Sequence, residues 1–514
     1  MTDLNRRSFL AASAALAGAA VVPSAEAATY SPCTRMPRKW NETFDVIVVG
    51  SGFAGLAAAA EAKLSGAKRV VVLEKMPLPG GNSKINGGIL AVPGNPVQKA
   101  KGIQDSAAKL AEDIIREGQG YSYPDKVKTM TENAYSTWQW TKDVLGVQWR
   151  DQVGQEGGHS VPRHLFTMHG IGADIVEKEL SYLEKEKVPV RLKCYVEQIL
   201  RDSDGRVKGL KVREGYTFPN KNSGTVKYLR AKKGVVLCHG GFGADVVYRM
   251  KQDPKLTGKF QTTNQPGATS ELWREASRIG GIIVQADWIQ CGPWNSPEED
   301  GMGISFYFSQ SAGAERGVWV DNTDGKRFVN ELANRKVRAD AIMVRNNKGH
   351  TCLAISDQNG VDTSINKMIP GILQKELEKK VVHKFDTLED LAKAYKVPVE
   401  ALKKTVADYN AALAKKGGDE MGRPFAPGAL PMEKAPWYCA LLSPKVHHCM
   451  GGLQTDNNAQ VLDVTTDQPI PGLYAAGEAV GGVHGAVRLG SCATLDCLVN
   501  GRIAGRACAK AREG

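Results

Sequence analysis

The sequence predicts an α/β fold in which a second domain interrupts a nucleotide-binding domain. A β-branched run, Phe44–Val49, leads into closely spaced glycines and then an alanine-rich stretch, which is the order strand, turn, helix. Further short apolar strands occur before residue 285 and again after residue 447. The segment between them contains helical runs such as Thr387–Tyr395, in which Thr387 is the predicted N-cap. We therefore expect a parallel sheet built from two separated parts of the chain, with an insertion between them.

Length and charge bound the possible functions. The chain has 514 residues, 42% hydrophobic content and 55 glycines, as expected for a globular protein of two domains. Its formal net charge is +12, yet no Lys/Arg run has the length of a nucleic-acid-binding tail. Basic clusters with interleaved aromatic residues are also absent, so nucleic-acid binding is not expected. An anionic substrate or an acidic redox partner fits this charge better.

The cysteine pattern argues against a haem or zinc site within the chain. None of the ten cysteines forms a Cys-x-x-Cys pair, and no Cys-x-x-Cys-His run occurs. Neither a covalently bound c-type haem nor a zinc ribbon is expected, and no metal site is predicted. Most of these thiols should be small buried apolar groups.

The first 27 residues have the features of a twin-arginine signal peptide. Arg6 and Arg7 precede an apolar run, Ala11–Val22, and a small-x-small cleavage site, Ala25–Ala27. A membrane anchor is the alternative, but the apolar run is short for a membrane span. We expect export of the folded protein to the periplasm, with no membrane span in the mature chain.

A glycine fingerprint follows the first strand. Gly50, Gly52 and Gly55 are spaced as G-x-G-x-x-G between the strand and the alanine-rich helix, and Glu74 ends the second strand. Gly50 should make the tight turn, and Gly52 should let the backbone approach the pyrophosphate. Gly55 should allow the helix to pack closely on the strand, and Glu74 should bind the ribose hydroxyls. The helix N-terminus offers N–H groups to the phosphates.

Two further runs indicate FAD rather than NAD. Lys75–Ser83 is a glycine-rich loop placed to fold over the pyrophosphate, and Gly472–Glu478 reads as a strand that ends in a Gly-Glu turn. The residues predicted to bind FAD are Gly50, Gly52, Phe53, Ala54, Gly55, Glu74, Lys75, Gly80, Gly81, Asn82, Ser83, Gly87, Gly88, Val196, Gly240, Gly477, Glu478, Leu489, Ser491 and Cys492.

From Phe44 to the C-terminus, the sequence resembles the flavoprotein subunits of fumarate reductases, most closely the soluble flavocytochrome c type. The resemblance rests on the runs above together with Thr263–Thr269, Gly325–Glu331, His447–Gly452 and Gly481–Gly490. It implies a discontinuous Rossmann-like FAD-binding domain, residues 28–286 and 447–514, with an inserted α+β capping domain, residues 287–446. Family flavocytochromes carry a haem domain that this sequence lacks. We therefore expect a separate periplasmic c-type cytochrome as electron donor, and a monomer.

The resemblance also implies the chemistry: reduction of the C=C bond of a small α,β-unsaturated carboxylate. His448 and Arg488 match the family residues that hold the substrate carboxylate, and Arg335 matches the arginine that donates the proton. A structural pair of Arg335 with Glu331 is the alternative. The run Leu489–Thr494 opens a predicted helix whose N–H groups should face the flavin, with Cys492 where the family usually has Asn.

Several positions depart from fumarate-specific members. Gly292 replaces the histidine that binds a second carboxylate, Gln310 and Ser311 replace a Thr-Glu pair, and Ala314 replaces the second arginine of the proton relay. The predicted substrate pocket comprises Gly292, Trp294, Phe308, Gln310 and Ser311. A non-fumarate substrate such as acrylate, a cinnamate-type arylacrylate or urocanate is expected.

Other interpretations stay open from sequence. Glu315 and Arg316 could supply the lost relay, or form an ordinary surface ion pair. There are three alternative functions. The first is fumarate reduction, and the second is a 3-ketosteroid-type dehydrogenation, which would require tyrosines as acid and base. The third is a non-catalytic periplasmic protein that binds FAD or an organic acid.

Overall fold

The strands are those of a nucleotide-binding sheet with smaller sheets around it. The computed structural model describes residues 32–415, 418–425 and 428–514, so the predicted signal peptide lies outside the described residues. The strands are β1 Glu42–Val49, β2 Val70–Leu73, β3 Ile89–Ala91, β4 Trp149–Gly154, β5 His164–Thr167, β6 Val190–Arg191, β7 Cys194–Arg201, β8 Val207–Glu214, β9 Thr225–Leu237, β10 Ile283–Val284, β11 Ile289–Gly292, β12 Val318–Asp321, β13 Cys352–Asp357, β14 His383–Phe385, β15 Trp437–Leu442, β16 Lys445–Cys449, β17 Gly452–Leu453, β18 Gln460–Leu462 and β19 Pro469–Ala475.

The helices lie mainly beside the large sheet and in the insertion. They are α1 Phe53–Leu64, α2 Gly81–Lys84, α3 Pro96–Ala100, α4 Ala107–Glu117, α5 Pro124–Glu132, α6 Ala134–Asp143, α7 Ala173–Lys185, α8 Val246–Gln252, α9 Glu271–Arg278, α10 Arg335–Asn347, α11 Gln358–Thr363, α12 Ile365–Met368, α13 Ile372–Glu378, α14 Leu388–Ala394, α15 Val399–Lys415 and α16 Cys492–Lys510. A π-helix covers Phe308–Ala314 and a 3₁₀ turn covers Gly477–Ala479. None of the helices in the described ranges is both long enough and apolar enough to cross a bilayer.

The large sheet has the order β18-β19-β9-β1-β2-β6, and the hairpin β7-β8 joins it through β9. The neighbours from β19 to β6 pair in parallel, whereas β18 runs antiparallel to β19. Residues 44–49 of β1 are all buried, because both faces of this strand are covered. Since β19 comes from the last part of the chain, the sheet is discontinuous in sequence, as predicted.

Alternate residues of the central strands contribute to cores on opposite faces of the sheet. Val46 and Val48 belong to the core that contains α1 and α16, and Ile47 and Val49 belong to the core on the other face.

The contact of α16 with α1 relies on small residues. A Cβ at Gly501 would lie 2.4 Å from the carbonyl oxygen of Ala54, and one at Gly505 would lie 2.1 Å from that of Ala58. This close approach fixes the first helix of the glycine fingerprint against the C-terminal helix.

The insertion has its own antiparallel sheet, in the order β12-β13-β15-β14. Its two faces contribute to separate cores, one with Trp319 and Ala354 and the other with Leu353 and Leu402. The antiparallel pair β11-β16 joins strands from the two ends of the insertion. Thr387 caps α14 as predicted, because its hydroxyl accepts a hydrogen bond of 3.1 Å from the Asp390 N–H. The fold is therefore a Rossmann-like domain with an α+β cap.

Candidate active site

A deep cavity lies at the carboxyl ends of β1, β2 and β9. Its empty volume, including the open mouth, is about 980 Å³. The predicted cofactor residues that line it are Gly50, Gly52, Phe53, Ala54, Glu74, Lys75, Gly81, Asn82, Ser83, Val196, Gly240 and Glu478. Gly55, Gly80, Gly87, Gly88, Gly477, Leu489, Ser491 and Cys492 do not line this cavity.

The glycine turn is required by close backbone contacts. Gly50 has φ +103°, and a Cβ there would lie 2.2 Å from the carbonyl oxygen of Cys238 on the neighbouring strand. A Cβ at Gly55 would lie 1.9 Å from the carbonyl oxygen of Gly50. Gly55 therefore allows α1 to pack on the strand turn without touching the cavity.

Hydrogen bonds hold the rim of the cavity in place. Ser51 Oγ donates to Glu74 Oε2 over 2.6 Å, and the Met76 N–H donates to Glu74 Oε1 over 2.8 Å. On the opposite side, the Phe53 N–H donates to Ser83 Oγ over 3.0 Å. These contacts fix the predicted ribose-binding carboxylate and the glycine-rich loop before a ligand enters.

Sequence reasoning missed several cavity-lining residues: Tyr195, His239, Gln265, Thr269 and Glu271. His239 is the most informative, because neither ring nitrogen has a hydrogen-bond partner among the described residues although both are buried. Burial lowers the pKa of His239 to about 3, so the ring is neutral. A buried polar group without partners indicates a ligand that supplies them. With the glycine turn and Glu74, these residues fit FAD.

The predicted carboxylate clamp lies next to this cavity. His448, on β16, is 7% exposed, and its Nδ1 lies 3.5 Å from Oε1 of the cavity-lining Glu478. Burial, and then the charge of Arg488, lowers the pKa of His448 well below its usual value. Its Nε2 has no hydrogen-bond partner in the described part of the chain. His448 is therefore a neutral imidazole with one nitrogen available to a ligand.

Arg488 offers one free edge of its guanidinium. Its Nη1 donates to the Leu489 carbonyl oxygen over 2.8 Å, whereas Nε has no hydrogen-bond partner among the residues described. Burial, and then the charge of Arg335, lowers the pKa of Arg488 to about 10. The side chain is thus a buried cation with donors left for an anion.

Arg335 begins α10 and pairs with a residue that sequence reasoning did not single out. Its Nη2 donates to Glu156 Oε2 over 2.9 Å, and its Cζ lies 4.9 Å from the centroid of the Trp294 ring. Glu331 instead pairs with Arg327 and Arg423. The alternative that Arg335 serves as the structural partner of Glu331 is therefore wrong.

The Leu489–Thr494 run does open a helix, since α16 begins at Cys492. Ser491 precedes it with φ +62°, a left-handed conformation. Burial raises the pKa of the Cys492 thiol to about 12, so the side chain is neutral. The N-terminal backbone N–H groups of α16 are thus beside an uncharged thiol.

The predicted substrate pocket is already filled by internal contacts at several positions. A Cβ at Gly292 would lie 2.3 Å from Asn295 Oδ1. Gln310 Oε1 accepts a hydrogen bond of 2.9 Å from Arg338 Nη1, and Ser311 Oγ donates to the Tyr307 carbonyl. Phe308 belongs to the core of the cap.

Arg338, a second buried arginine, was also missed. Its Cζ lies 5.5 Å from the centroid of the Trp294 ring and 5.5 Å from that of Trp319. Burial, and then the charge of Arg335, lowers the pKa of Arg338 to about 9. Its position one helical turn after Arg335 was the available signal.

Glu315, one proposed replacement for the relay, faces this second arginine. Its carboxyl hydrogen-bonds with Gln310, and burial raises its pKa above the usual value.

Comparisons with known proteins agree with this geometry. Residues 45–494 match the family model described as FAD binding domain. The acrylate reductase flavoprotein subunit of Shewanella woodyi is 39% identical over 98% of this chain and 98% of that protein. The urocanate reductase of Eggerthella lenta is 35% identical over 90% of this chain and 74% of that protein.

Among solved structures, the open conformation of a flavocytochrome c3 fumarate reductase has a TM-score of 0.77 and 32% identity, covering 92% of this chain and 79% of that one. The chain belongs to this family of FAD-dependent enoate reductases. Its cofactor is FAD, and it is a flavin-dependent oxidoreductase that acts on the C=C bond of enoates. Structures of 3-ketosteroid dehydrogenases share the fold at lower identity, 24% and 23%.

Proposed function

We propose that the chain is an exported, FAD-dependent reductase of a small enoate that carries one clamped carboxylate, such as acrylate, an arylacrylate or urocanate. The observation that carries this proposal is the convergence of His448, Arg488 and Arg335 beside the cofactor cavity. His448 contacts the cavity-lining Glu478, and its partner in the β11-β16 pair, Gln290, donates to the Arg488 carbonyl oxygen. Glu156 pairs with Arg335 and packs against Gly490, two residues after Arg488.

The opposite end of the site supports a substrate without a second carboxylate. Gly292, Gln310 and Ser311 offer no cation, and the oxygen atoms of Gln310 and Ser311 already take part in internal hydrogen bonds. The nearby cation, Arg338, donates through Nη1 to Gln310 and to the Glu331 carbonyl. A second carboxylate would lack a donor side chain at position 292 and would meet Arg338 Nε and Trp294 Nε1 as donors unpaired within the described residues; a buried carboxylate that lacks partners costs several kcal/mol.

Arg488, His448 and Arg335 have different roles in the proposed reaction. Arg488 binds the carboxylate through its free edge, and neutral His448 donates one N–H to the same group. Together they stabilise the negative charge that develops on the substrate, which makes the β-carbon electrophilic. Arg335 donates a proton to the α-carbon. FAD, when bound and reduced, would supply the hydride.

Export and electron supply are parts of the same proposal. The Arg6-Arg7 signal sequence supports twin-arginine export to the periplasm. A separate periplasmic c-type cytochrome then reduces the enzyme, and the +12 charge suits an acidic donor. Cell fractionation of the wild type and of a variant with both arginines replaced by Lys tests export; equal periplasmic amounts would contradict it.

Steady-state assays with reduced viologen test the substrate proposal. The panel contains acrylate, cinnamate, urocanate and fumarate, and we expect turnover of at least one monocarboxylate with fumarate as the poorest substrate. Efficient turnover of fumarate with none of the other three would overturn the proposal. Turnover of none would favour the non-catalytic binding protein.

A variant pair tests the role of Arg335. Arg335→Ala should abolish turnover while FAD stays bound. Lys336→Ala is the matched control, because the Lys336 ammonium pairs with Asp340 over 2.6 Å instead of contacting the site. Equal activity of both variants would contradict the assignment.

A further inference from the structure

Arg335 needs a source of protons, because each turnover removes one from its guanidinium. The second arginine of the family relay is missing here, since Ala314 stands at the position that the resemblance assigns to it. A carboxylate that contacts Arg335 and also reaches solvent could replace it. The structure provides such a carboxylate in Glu156.

Glu156 comes from the loop that follows β4, 179 residues before Arg335 in the chain. Its Oε2 accepts a hydrogen bond of 2.9 Å from Arg335 Nη2. The same oxygen packs against the α-carbon of Gly490, as it lies 1.3 Å from the position that a Cβ would take there. Gly490 has no side chain, and this leaves room for the carboxylate between α10 and the Arg488–Gly490 segment.

The exposure of the pair provides a path from water. The Glu156 side chain is 32% exposed and that of Arg335 is 20% exposed, whereas Arg488 and His448 are 6% and 7% exposed. Glu156 thus contacts both Arg335 and solvent. Glu315, the alternative carboxylate, is half-buried as well, and its carboxyl hydrogen-bonds with Gln310.

We propose that Glu156 is the proton-relay residue that reprotonates Arg335 after each turnover. This inference rests on the proposed function. In the step, an N–H bond of Arg335 breaks as the α-carbon of the enoate gains the proton. The Glu156 carboxylate then takes a proton from a solvent hydronium ion and passes it to the neutral guanidine, so that the guanidinium and the carboxylate are both restored. No electrons are exchanged between the residues, because both electrons of the reduction arrive with the hydride.

Several charged groups face Glu156 and must be considered in its pH dependence. Arg335 on α10 pairs with Glu156 directly, and the charge of Arg488, before α16, interacts with it. His159, in the same loop, is neutral because burial lowers its pKa to about 4. Glu117, at the end of α4, packs against Gly158 in this loop. Glu156→Gln removes the titrating group and leaves these neighbours unchanged.

The test compares Glu156→Gln with three other variants on the best enoate of the panel. Gln keeps an oxygen that can accept the Arg335 hydrogen bond, so the geometry is preserved while proton transfer is lost. We expect kcat to fall about 100-fold, the size of a general acid–base contribution, with KM within threefold of the wild type. Glu156→Asp should recover part of the loss. Glu117→Gln, a nearby carboxylate without contact to Arg335, and Glu315→Gln should keep kcat within threefold.

A structural role would not give this pattern. The Glu156→Gln enzyme should bind FAD with an unchanged absorption spectrum and melting temperature, and its pH–kcat profile should lose one ionisation. Two results would overturn the relay: an unchanged kcat for Glu156→Gln, or a loss in Glu315→Gln alone. An unchanged kcat with a lower KM would show instead that Glu156 competes with the substrate for Arg335. A wild type inactive on every enoate would overturn the proposed function itself, and the relay with it.

Discussion

Replacement of Arg488 tests the carboxylate clamp most directly. This side chain is 6% exposed, one of its nitrogens is committed to the Leu489 carbonyl, and its Nε is unpaired among the described residues. The free edge can therefore make two charge-assisted hydrogen bonds to a carboxylate, each worth about 1.5–3 kcal/mol. Arg488→Ala removes both, for a loss of about 3–6 kcal/mol.

That loss corresponds to a fall in kcat/KM of about 10² to 10⁴, since about 1.36 kcal/mol is tenfold in rate. Arg488→Lys keeps the charge but not the planar fork, so we expect a smaller loss of about tenfold. The assay is steady-state reduction of the best enoate with reduced viologen, with FAD content and melting temperature measured on the same samples.

Arg506→Ala is the matched control, since this arginine of α16 pairs with Glu61 at the surface, where its side chain is 46% exposed. It should leave kcat/KM within threefold. An Arg488→Ala enzyme that binds FAD and retains more than one third of the wild-type kcat/KM would refute the clamp.

Three further predictions concern pH, buried charge and the glycine turn. Because the pKa of Arg488 is lowered to about 10, its positive charge is lost as pH rises through that value. KM should therefore be constant from pH 6 to 9 and increase above pH 9, as measured in buffers of constant ionic strength. Glu331→Gln should lower the free energy of unfolding by about 3–5 kcal/mol, because Arg327 and Arg423 lose a fully buried anionic partner; denaturant unfolding measures this. Gly55→Ala should reduce FAD content and cost about 3 kcal/mol of stability, because its Cβ would overlap the Gly50 carbonyl.

Controls accompany these three predictions. A rise in KM between pH 6 and 7 would implicate a group other than Arg488. The control for Glu331→Gln is Glu378→Gln at the surface, which should leave the free energy of unfolding unchanged. Equal effects of Glu331→Gln and Glu378→Gln would contradict a stabilising role of the buried Glu331 carboxylate. Gly258→Ala is the glycine control, because its Cβ would meet only Val246 at 3.8 Å. Normal FAD loading in Gly55→Ala would show that the turn can adjust.

Local features of this protein could be predicted because a few neighbouring residues decide them. The Gly50 turn depends on a backbone conformation with φ +103° that glycine adopts at low cost, and the Thr387 cap depends on a hydrogen bond three residues along the chain. The burial of β1 on both faces likewise follows from its continuous β-branched run. The sequence motifs were enough to predict the discontinuous fold and FAD.

The pairing of buried charges was decided only by the tertiary structure. Glu331 lies four residues from Arg335, but its carboxylate pairs with Arg327 and with Arg423, which is 92 residues away. Arg335 instead meets Glu156 from a distant loop. Sequence spacing does not specify the contact with Arg423, because it depends on how the cap itself folds, or the contact with Glu156, because it depends on how the cap packs against the FAD domain.

The same distinction applies to the two ends of the site. The sequence by itself determined that Gly292 leaves no side chain to bind a second carboxylate. Only the packed structure decided that Asn295 fills that space and that the rings of Trp294 and Trp319 lie against Arg338. The physical reason is that a missing donor is a property of one residue, whereas the shape and charge of a cavity depend on residues that the chain brings together from far apart.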